Sequence, residues 1–287
     1  MTTTAAVTGR RRWVPYLLMA PGGLWLLIFY FVPIARLVEV SLQSGIFPRY
    51  RFTWEVGNYL RLFTDFLPHL QRSLLYGLGA TLIGLLIAYP LAYGIAFRGG
   101  RYKNLLLVLL LMPFLMPFLL RTLSWRIILA DNGPVVEALR TVGLLGADGR
   151  LLATGVAVVA GITYNFLPFT TLPIYVSLEK IDRSLIEAAN DLYASPVVAF
   201  WKVTFPLSMP GVVAGSLLTG IPAIGDYVNA ELLGTPEQYM LGNVIQSRFL
   251  RVLDYPSAAA LSFSLMLAIL LILIPYIRAT GTEDLVA

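Results

Sequence analysis

Six stretches of this sequence are apolar enough and long enough to cross a lipid bilayer as helices. They run over 14–38, 74–97, 105–123, 151–176, 212–233 and 258–277. An α-helix rises about 1.5 Å per residue, so roughly 20 apolar residues cover the hydrocarbon thickness of a bilayer. The sequence therefore predicts an all-α integral membrane protein with about six transmembrane helices.

The composition supports this class and excludes several others. Hydrophobic residues make up 57% of the chain and charged residues only 13%, whereas roughly a quarter of the residues of a soluble domain are charged. The chain has no cysteine, so disulfides, thiolate nucleophiles and cysteine-based metal sites are excluded. The net charge of +5 comes from basic residues scattered between the apolar runs, which indicates flanks beside lipid headgroups and not a nucleic-acid surface.

The basic residues closest to the ends of the predicted spans indicate the orientation. They are Arg10, Arg11, Arg12, Arg98, Arg101 and Lys103. Basic residues near span ends favour the cytoplasmic side, and the loops on the opposite side are longer and mix in acidic residues. We therefore expect a multi-pass protein of a prokaryotic cytoplasmic (inner) membrane, with cytoplasmic tails over 1–13 and 279–287 and a cytoplasmic loop over 177–211. The first run is too long for a signal peptide and predicts a retained span.

The cytoplasmic loop contains an amphipathic pattern. Ser184 followed by Glu187 fits a capping box at a helix start. One predicted face is apolar and consists of Leu185, Ala188, Ala189 and Leu192; the polar face contains Asn190 and Asp191. Pro196 is expected to end this helix.

A second short helix is predicted from Pro196 through Trp201, ended by Pro206 and the Pro210–Gly211 pair. Two short helices with small apolar faces bury little surface by themselves. The pattern favours a helix-turn-helix that docks into a groove on another protein; a helix lying on the bilayer surface is the alternative.

These residues also carry a family resemblance. The run Glu187-Ala188-Ala189, followed at fixed spacing by Ala194, Phe200, Pro206 and Pro210-Gly211, resembles the EAA loop of binding-protein-dependent ABC importer permeases. The sequence departs from that pattern at Tyr193, where glycine is usual, and at Phe205, where leucine is usual. Glycine normally permits a tight turn between the two helices, and tyrosine reaches positive φ only at a steric cost.

The resemblance extends over most of the chain. The segments Asp131–Pro134 and Gly225–Gly234 are most similar to those of spermidine/putrescine permeases. The family implies a type I importer permease fold, a heterodimer with a second permease subunit, two cytoplasmic ATP-binding subunits and an external substrate-binding protein. It also implies ATPase coupling by the residues of the EAA loop, namely Glu187, Ala188, Ala189, Leu192, Ala194, Phe200, Pro206, Pro210 and Gly211.

The chain has no Gly-x-x-x-x-Gly-Lys-Ser/Thr phosphate loop. If ATP drives transport, ATP and its magnesium ion must be bound and hydrolysed on a partner chain. We therefore expect no catalytic residue, no metal site and no cofactor on this chain.

The fifth predicted span contains two carboxylates, Asp226 and Glu231. Asp226 lies about 14 residues, or roughly 21 Å, beyond Val212, and a charge at such depth normally faces a cavity or a partner. A helix disruption near Gly225 would bring both acids, with Tyr227 and Asn229, toward one pathway for a cationic amine. The alternative is that the acids form structural pairs with Arg121, Arg126 or the partner permease.

Three other functions share some of these sequence features. The same importer class handles thiamine, ferric iron and phosphonates, and the sequence does not choose among these substrates. An ion-coupled secondary transporter would also use intramembrane acids, but it has no need of an EAA-type loop. A membrane enzyme is disfavoured because the chain has one histidine, no cysteine and no clustered cytoplasmic carboxylates.

Overall fold

The computed structural model describes residues 14–146 and 148–280, and this part of the chain is mainly helical. The helices are α1 Val14–Leu26, α2 Val32–Ser41, α3 Gly57–Thr64, α4 Leu67–Tyr93, α5 Lys103–Leu111, α6 Phe118–Ile128, α7 Pro134–Thr141, α8 Gly155–Glu179, α9 Arg183–Asp191, α10 Pro196–Ala199, α11 Phe205–Ile224, α12 Val228–Leu233, α13 Leu241–Ser247 and α14 Tyr255–Thr280. Short π-helical segments occupy Leu27–Phe31, Gly94–Arg98, Phe200–Thr204 and Arg248–Val252. Single 3₁₀ turns occupy Gly100–Tyr102, Met112–Leu115 and Pro236–Gln238.

Five helices in the described ranges are long and apolar enough to cross a membrane. They are Pro15–Ser41, Leu67–Arg98, Gly155–Glu179, Pro196–Ile224 and Tyr255–Ala279. A sixth crossing is formed if Gly100–Leu115 and Phe118–Ile128 count as one broken span. The prediction of an all-α membrane protein with about six spans is confirmed. The predicted tail 1–13, and residues 281–287 of the predicted tail 279–287, lie outside the described residues.

The third predicted span, 105–123, is not a straight helix. Its two halves meet at an angle of 93°. Met116 has the extended backbone conformation, with φ −81° and ψ 138°; Pro117 follows it, and steric contact with a proline disfavours the α region for the preceding residue. Length and apolarity predicted the apolar helical residues here, but not the bend that divides them into two helices.

The fifth predicted span, 212–233, is also wrong as a single helix. Helix α11 ends at Ile224, and α12 begins only at Val228. In the other direction the helix is continuous back to Pro196, so the prediction that Pro206 and Pro210–Gly211 end a separate second helix is wrong. Pro206 closely follows the π-helical segment Phe200–Thr204, and such local π adjustments satisfy the backbone groups that a proline leaves free within a membrane helix.

Helices α4, α8 and α11 form the centre of the fold, and small residues allow them to approach closely. A Cβ atom on Gly77 of α4 would lie 2.7 Å from the Cα atom of Ile224 on α11. A Cβ atom on Gly215 of α11 would lie 2.7 Å from the carbonyl oxygen of Thr170 on α8. Small residues at such contacts let membrane helices pack backbone to backbone. This three-helix core supports both the EAA loop and the interruption between α11 and α12.

A two-stranded antiparallel hairpin lies between α2 and α3. Its strands are β1 Gln43–Ile46 and β2 Arg49–Phe52, with Gln43 paired to Phe52. The side chain of Asn58 on α3 donates hydrogen bonds to the carbonyl oxygens of Ser41 and Gln43, at 3.0 and 2.9 Å. These bonds fix the start of the hairpin against the helices.

Candidate functional site

We use the name coupling segment for residues 182–204, which contain α9, α10 and the π-helical turn after them. Helix α9 begins one residue before the predicted Ser184 cap. Asp182 caps it instead, accepting a hydrogen bond of 3.0 Å from the backbone N–H of Ser184. That bond holds the pKa of the Asp182 carboxyl below its usual value. The cap is therefore complete at neutral pH and is lost only when acid protonates the carboxyl.

The turn between α9 and α10 has the left-handed residue that the family pattern places there. Tyr193 has φ 56°. Its N–H donates to the carbonyl of Asn190 at 2.9 Å, and the N–H of Ala194 donates to the carbonyl of Ala189 at 3.1 Å. These two bonds define a Schellman motif, which usually ends in glycine. The turn geometry is therefore retained although the residue is tyrosine.

Replacing Tyr193 with glycine should stabilise this turn. The left-handed conformation costs an L-residue about 1–2 kcal/mol, and glycine escapes most of that cost. We expect Tyr193→Gly to slow amide hydrogen exchange at Tyr193 and Ala194 by roughly fivefold, a change of about 1 kcal/mol. Tyr193→Ala is the control, because it removes the ring but keeps the Cβ. Equal exchange in the glycine and alanine variants would contradict the expectation.

The coupling segment presents apolar side chains to the outside of the molecule. The exposed fraction is 82% for Leu192, 99% for Tyr193 and 66% for Val197. Leu185, Glu187 and Ala188 are also exposed, and Ala194 is half-buried. Single exposed apolar residues are ordinary, but such a group on one short surface motif is typical of a docking surface.

Of the later residues of the EAA pattern, Phe200 and Gly211 instead contact the bundle, whereas Pro206 is exposed and Pro210 is half-buried. Phe200 makes edge contacts with the rings of Tyr89 and Tyr93 on α4, with centroids 5.7 and 6.0 Å apart. The hydroxyl of Tyr89 bonds that of Ser208 on α11, at 2.8 Å. Gly211 is buried against the Pro173 carbonyl on α8. The set predicted to contact the ATPase therefore divides into an exposed part and a part that anchors it to α4 and α8.

The second group of predicted residues lies at the interruption between α11 and α12. Asp226 is buried, with 8% exposure. Its two carboxylate oxygens accept hydrogen bonds from the backbone N–H and the side-chain amide of Asn229, at 2.8 and 2.7 Å. The side-chain amide of Asn243 on α13 donates to the carbonyl of Tyr227, at 2.8 Å. Buried hydrogen bonds therefore satisfy the backbone that the interrupted helix leaves free.

A chain of hydrogen bonds extends from Asp226 to a buried arginine. The amide of Asn165 on α8 donates to the side-chain oxygen of Asn229 at 3.0 Å, and the Nε of Arg121 on α6 donates to Asn165 at 2.7 Å. Arg121 is 7% exposed, and its guanidinium lies 4.1 Å from the ring centre of Phe114. We call these four residues, Arg121, Asn165, Asn229 and Asp226, the amide chain. It ties α6, α8 and α12 together.

The structure does not give the two acids a common partner. Glu231 is partly exposed and forms an ion pair of 3.1 Å with Arg251, in the π-helical segment after α13. Within residues 14–146 and 148–280, Asp226 has no ion pair, and neither acid pairs directly with Arg121 or Arg126. Tyr227 is 38% exposed. The four predicted residues therefore lie in two different environments: Asp226 and Asn229 are buried, whereas Tyr227 and Glu231 are accessible.

Three participants were not predicted from the sequence. Asn165 and Asn243 contact the interruption, and Arg251 pairs with Glu231. Asn165 had a detectable signal, because a polar amide inside the apolar run 151–176 normally faces another polar group. Arg251 lies 20 residues from Glu231, and no local spacing links them.

The sequence also matches the profile of a protein family. Residues 80–279 match the family described as binding-protein-dependent transport system inner membrane component. The chain belongs to this family. The matched residues include the coupling segment, Asp226 and Glu231, and all of the amide chain.

Similar proteins agree with this assignment. The chain is 36% identical over 260 residues to the spermidine/putrescine transport system permease protein PotB of Escherichia coli, covering 89% of this chain and 94% of that protein. It is 37% identical over 257 residues to the protein of the same name from Haemophilus influenzae, covering 89% and 90%. The inner membrane ABC transporter permease protein YdcU of Escherichia coli is 28% identical, covering 94% and 90%.

Solved structures support the fold. A chain of the bacterial alginate ABC transporter, crystallised with an alginate-bound periplasmic protein, superposes with a TM-score of 0.74 over 96% of each chain, at 18% identity. A chain of the inward-facing MetNI methionine ABC transporter gives a TM-score of 0.57, covering 76% of this chain and 96% of that one, at 18% identity. The fold is therefore that of an ABC importer permease.

As a binding-protein-dependent inner membrane component, the chain is a multi-pass membrane subunit of an ABC importer. The exposed apolar face of the coupling segment is consistent with a subunit that works within a larger assembly.

Proposed function

We propose that this permease subunit forms half of the translocation pathway of an ATP-driven importer of spermidine or putrescine. The observation that carries the proposal is the 36% identity to the Escherichia coli spermidine/putrescine permease over 94% of that protein's length. Spermidine and putrescine are flexible cations, so their pathway requires carboxylates and aromatic faces.

Two residues at the interruption have the exposure that a pathway role requires. Tyr227 and Glu231 lie one helical turn apart, with the N–H of Glu231 donating to the carbonyl of Tyr227 at 2.9 Å. Both are accessible, whereas Asp226 and Asn229 are buried. We assign substrate contact to Tyr227 and Glu231. Asp226 and Asn229 hold the interruption in shape as positioning residues.

The coupling segment is proposed to dock on an ATP-binding subunit. Its exposed residues Glu187, Ala188 and Leu192, with the half-buried Ala189 and Ala194, would fill a cleft on that subunit. Phe200, Pro206, Pro210 and Gly211 would join the docked part to the spans. Closure of two ATP-binding subunits on ATP would then move the spans as rigid bodies between inward-open and outward-open states.

The rest of the assembly follows from the same proposal. A second permease subunit would complete the pathway as a heterodimer, and an external binding protein would deliver the substrate. ATP and magnesium would bind to the two ATP-binding subunits. Both termini of this chain would be cytoplasmic, which places the coupling segment on the same side as those subunits.

Uptake of labelled spermidine by cells with and without this chain tests the function. We expect deletion of the chain to remove most of the ATP-dependent uptake, and reintroduction to restore it. Uptake should survive collapse of the proton gradient while ATP is maintained, because ATP supplies the energy. Unchanged uptake after deletion would refute the polyamine substrate, and loss on gradient collapse alone would indicate an ion-coupled transporter.

A further inference from the structure

A small cavity lies beside the interruption between α11 and α12. Its volume is about 300 Å³, within the lower range of ligand pockets. It lies between the interruption and α13, and its lining includes Gly225, Tyr227, Gly242, Gln246, Phe249 and Leu250. The lining is mainly apolar, with two aromatic rings and one amide. Such a lining suits a short methylene segment, with a cation held at its edge.

Glu231 and Arg251 form an ion pair, and each is close in the chain to a residue that lines this cavity. Glu231 follows Tyr227 by one helical turn, and Arg251 follows Leu250 directly in the chain. The Nη2 atom of Arg251 donates to Oε1 of Glu231 at 3.1 Å. The exposed fraction of the side chain is 66% for Arg251 and 29% for Glu231. The carboxylate is therefore the more enclosed partner, and the guanidinium is the more accessible one.

We propose that Arg251 is a tethered cation that occupies the place of a substrate ammonium group on Glu231. The cavity beside it would hold the methylene segment attached to that ammonium. An arriving amine must displace Arg251 before it can pair with Glu231. This inference rests on the proposed polyamine function and adds a residue that sets the affinity of the permease for its substrate.

The strength of the contact suits reversible displacement. A solvent-exposed ion pair changes a binding equilibrium by about fivefold at most, so either cation is readily exchanged for another. A substrate in the cavity contacts the rings of Tyr227 and Phe249. Arg251 does not line the cavity, so it lacks these contacts. Arg251 would therefore keep the carboxylate neutralised when the pathway is empty, and yield it to an amine.

Direct binding of labelled spermidine to the purified permease–ATPase complex in nanodiscs, without the binding protein, tests this inference. We expect Arg251→Gln to lower the Kd by about two- to fivefold, the factor that an exposed ion pair can contribute. Structural damage would not tighten binding. Glu231→Gln should weaken binding of spermidine, because it removes the proposed partner of the ammonium.

Arg150→Gln is the matched control. Arg150 forms an exposed ion pair with Asp131, also at 3.1 Å, and its side chain is 64% exposed. The Arg150→Gln variant loses the same charge from a comparable ion pair that does not line the cavity, so its Kd for spermidine should equal that of the wild type. If the wild-type complex transports spermidine in cells but the Kd is unchanged or raised in Arg251→Gln, or if the wild-type complex binds no spermidine, the tethered-cation inference is wrong. Absent uptake in wild-type cells would instead refute the polyamine function itself.

Discussion

Leu192→Asp should separate the permease from its ATP-binding subunits. Leu192 is 82% exposed, so the substitution removes almost no packing inside this chain. In the proposed docked state it would place an unpaired carboxylate in an apolar cleft, at a cost of about 3 kcal/mol or more, which corresponds to roughly a hundredfold weaker association. Co-purification of the complex and ATP-dependent spermidine uptake are the measurements, and both should fall.

Asn190→Asp is the control for this experiment. It adds the same charge near the same end of α9, where the helix dipole acts on both positions alike. Asn190 lies on the opposite, polar face of the helix, so association should change little. If Leu192→Asp and Asn190→Asp retain the ATP-binding subunits equally, the apolar face of α9 is not the docking surface.

Asn229→Leu should destabilise the permease itself. The substitution keeps a similar volume but removes the amide that donates to Asp226 and accepts from Asn165. The buried carboxylate of Asp226 would lose a partner, at a cost of about 3 kcal/mol. A change of this size lowers the melting temperature of a chain of this length by roughly 6–12 °C. Thermal unfolding of the purified complex, followed by loss of soluble permease, measures the effect.

Asn104→Leu provides the comparison. Asn104 is exposed near the start of α5, so the same chemical change should leave thermal stability nearly unaltered. A fully stable Asn229→Leu complex that no longer transports would contradict the positioning role and would place Asn229 in contact with substrate.

The helical spans and the amphipathic face of α9 were predictable, because both depend on local periodicity and on apolar run length. The family pattern marked Tyr193 as the position of the turn, but the sequence did not predict that tyrosine would keep the left-handed conformation. The start of α9 was missed by two residues, because Asp182 and Ser184 are both good caps and only the folded backbone selects between them.

The interruptions were harder to predict. Pro117 bends the third span by 93°, whereas Pro206 and Pro210 leave α11 continuous. Proline alone does not decide between these outcomes, because neighbouring helices and π-helical turns determine whether the freed carbonyls are satisfied. The amide chain was predicted only in part. The sequence named Arg121 as an alternative partner of the acids, but the link between Arg121 and Asp226 passes through Asn165 of α8 and Asn229 of α12, which no local spacing brings together.

The unbroken helix from Pro196 to Ile224 joins two regions that have different tasks. Its 29 residues make a rod of roughly 44 Å, with the coupling segment at one end and the cavity beside Tyr227 at the other. Thermodynamic linkage then works in both directions. If docking of the ATP-binding subunits changes the affinity of Glu231 for an amine by some factor, then binding of the amine changes the affinity of the permease for those subunits by the same factor.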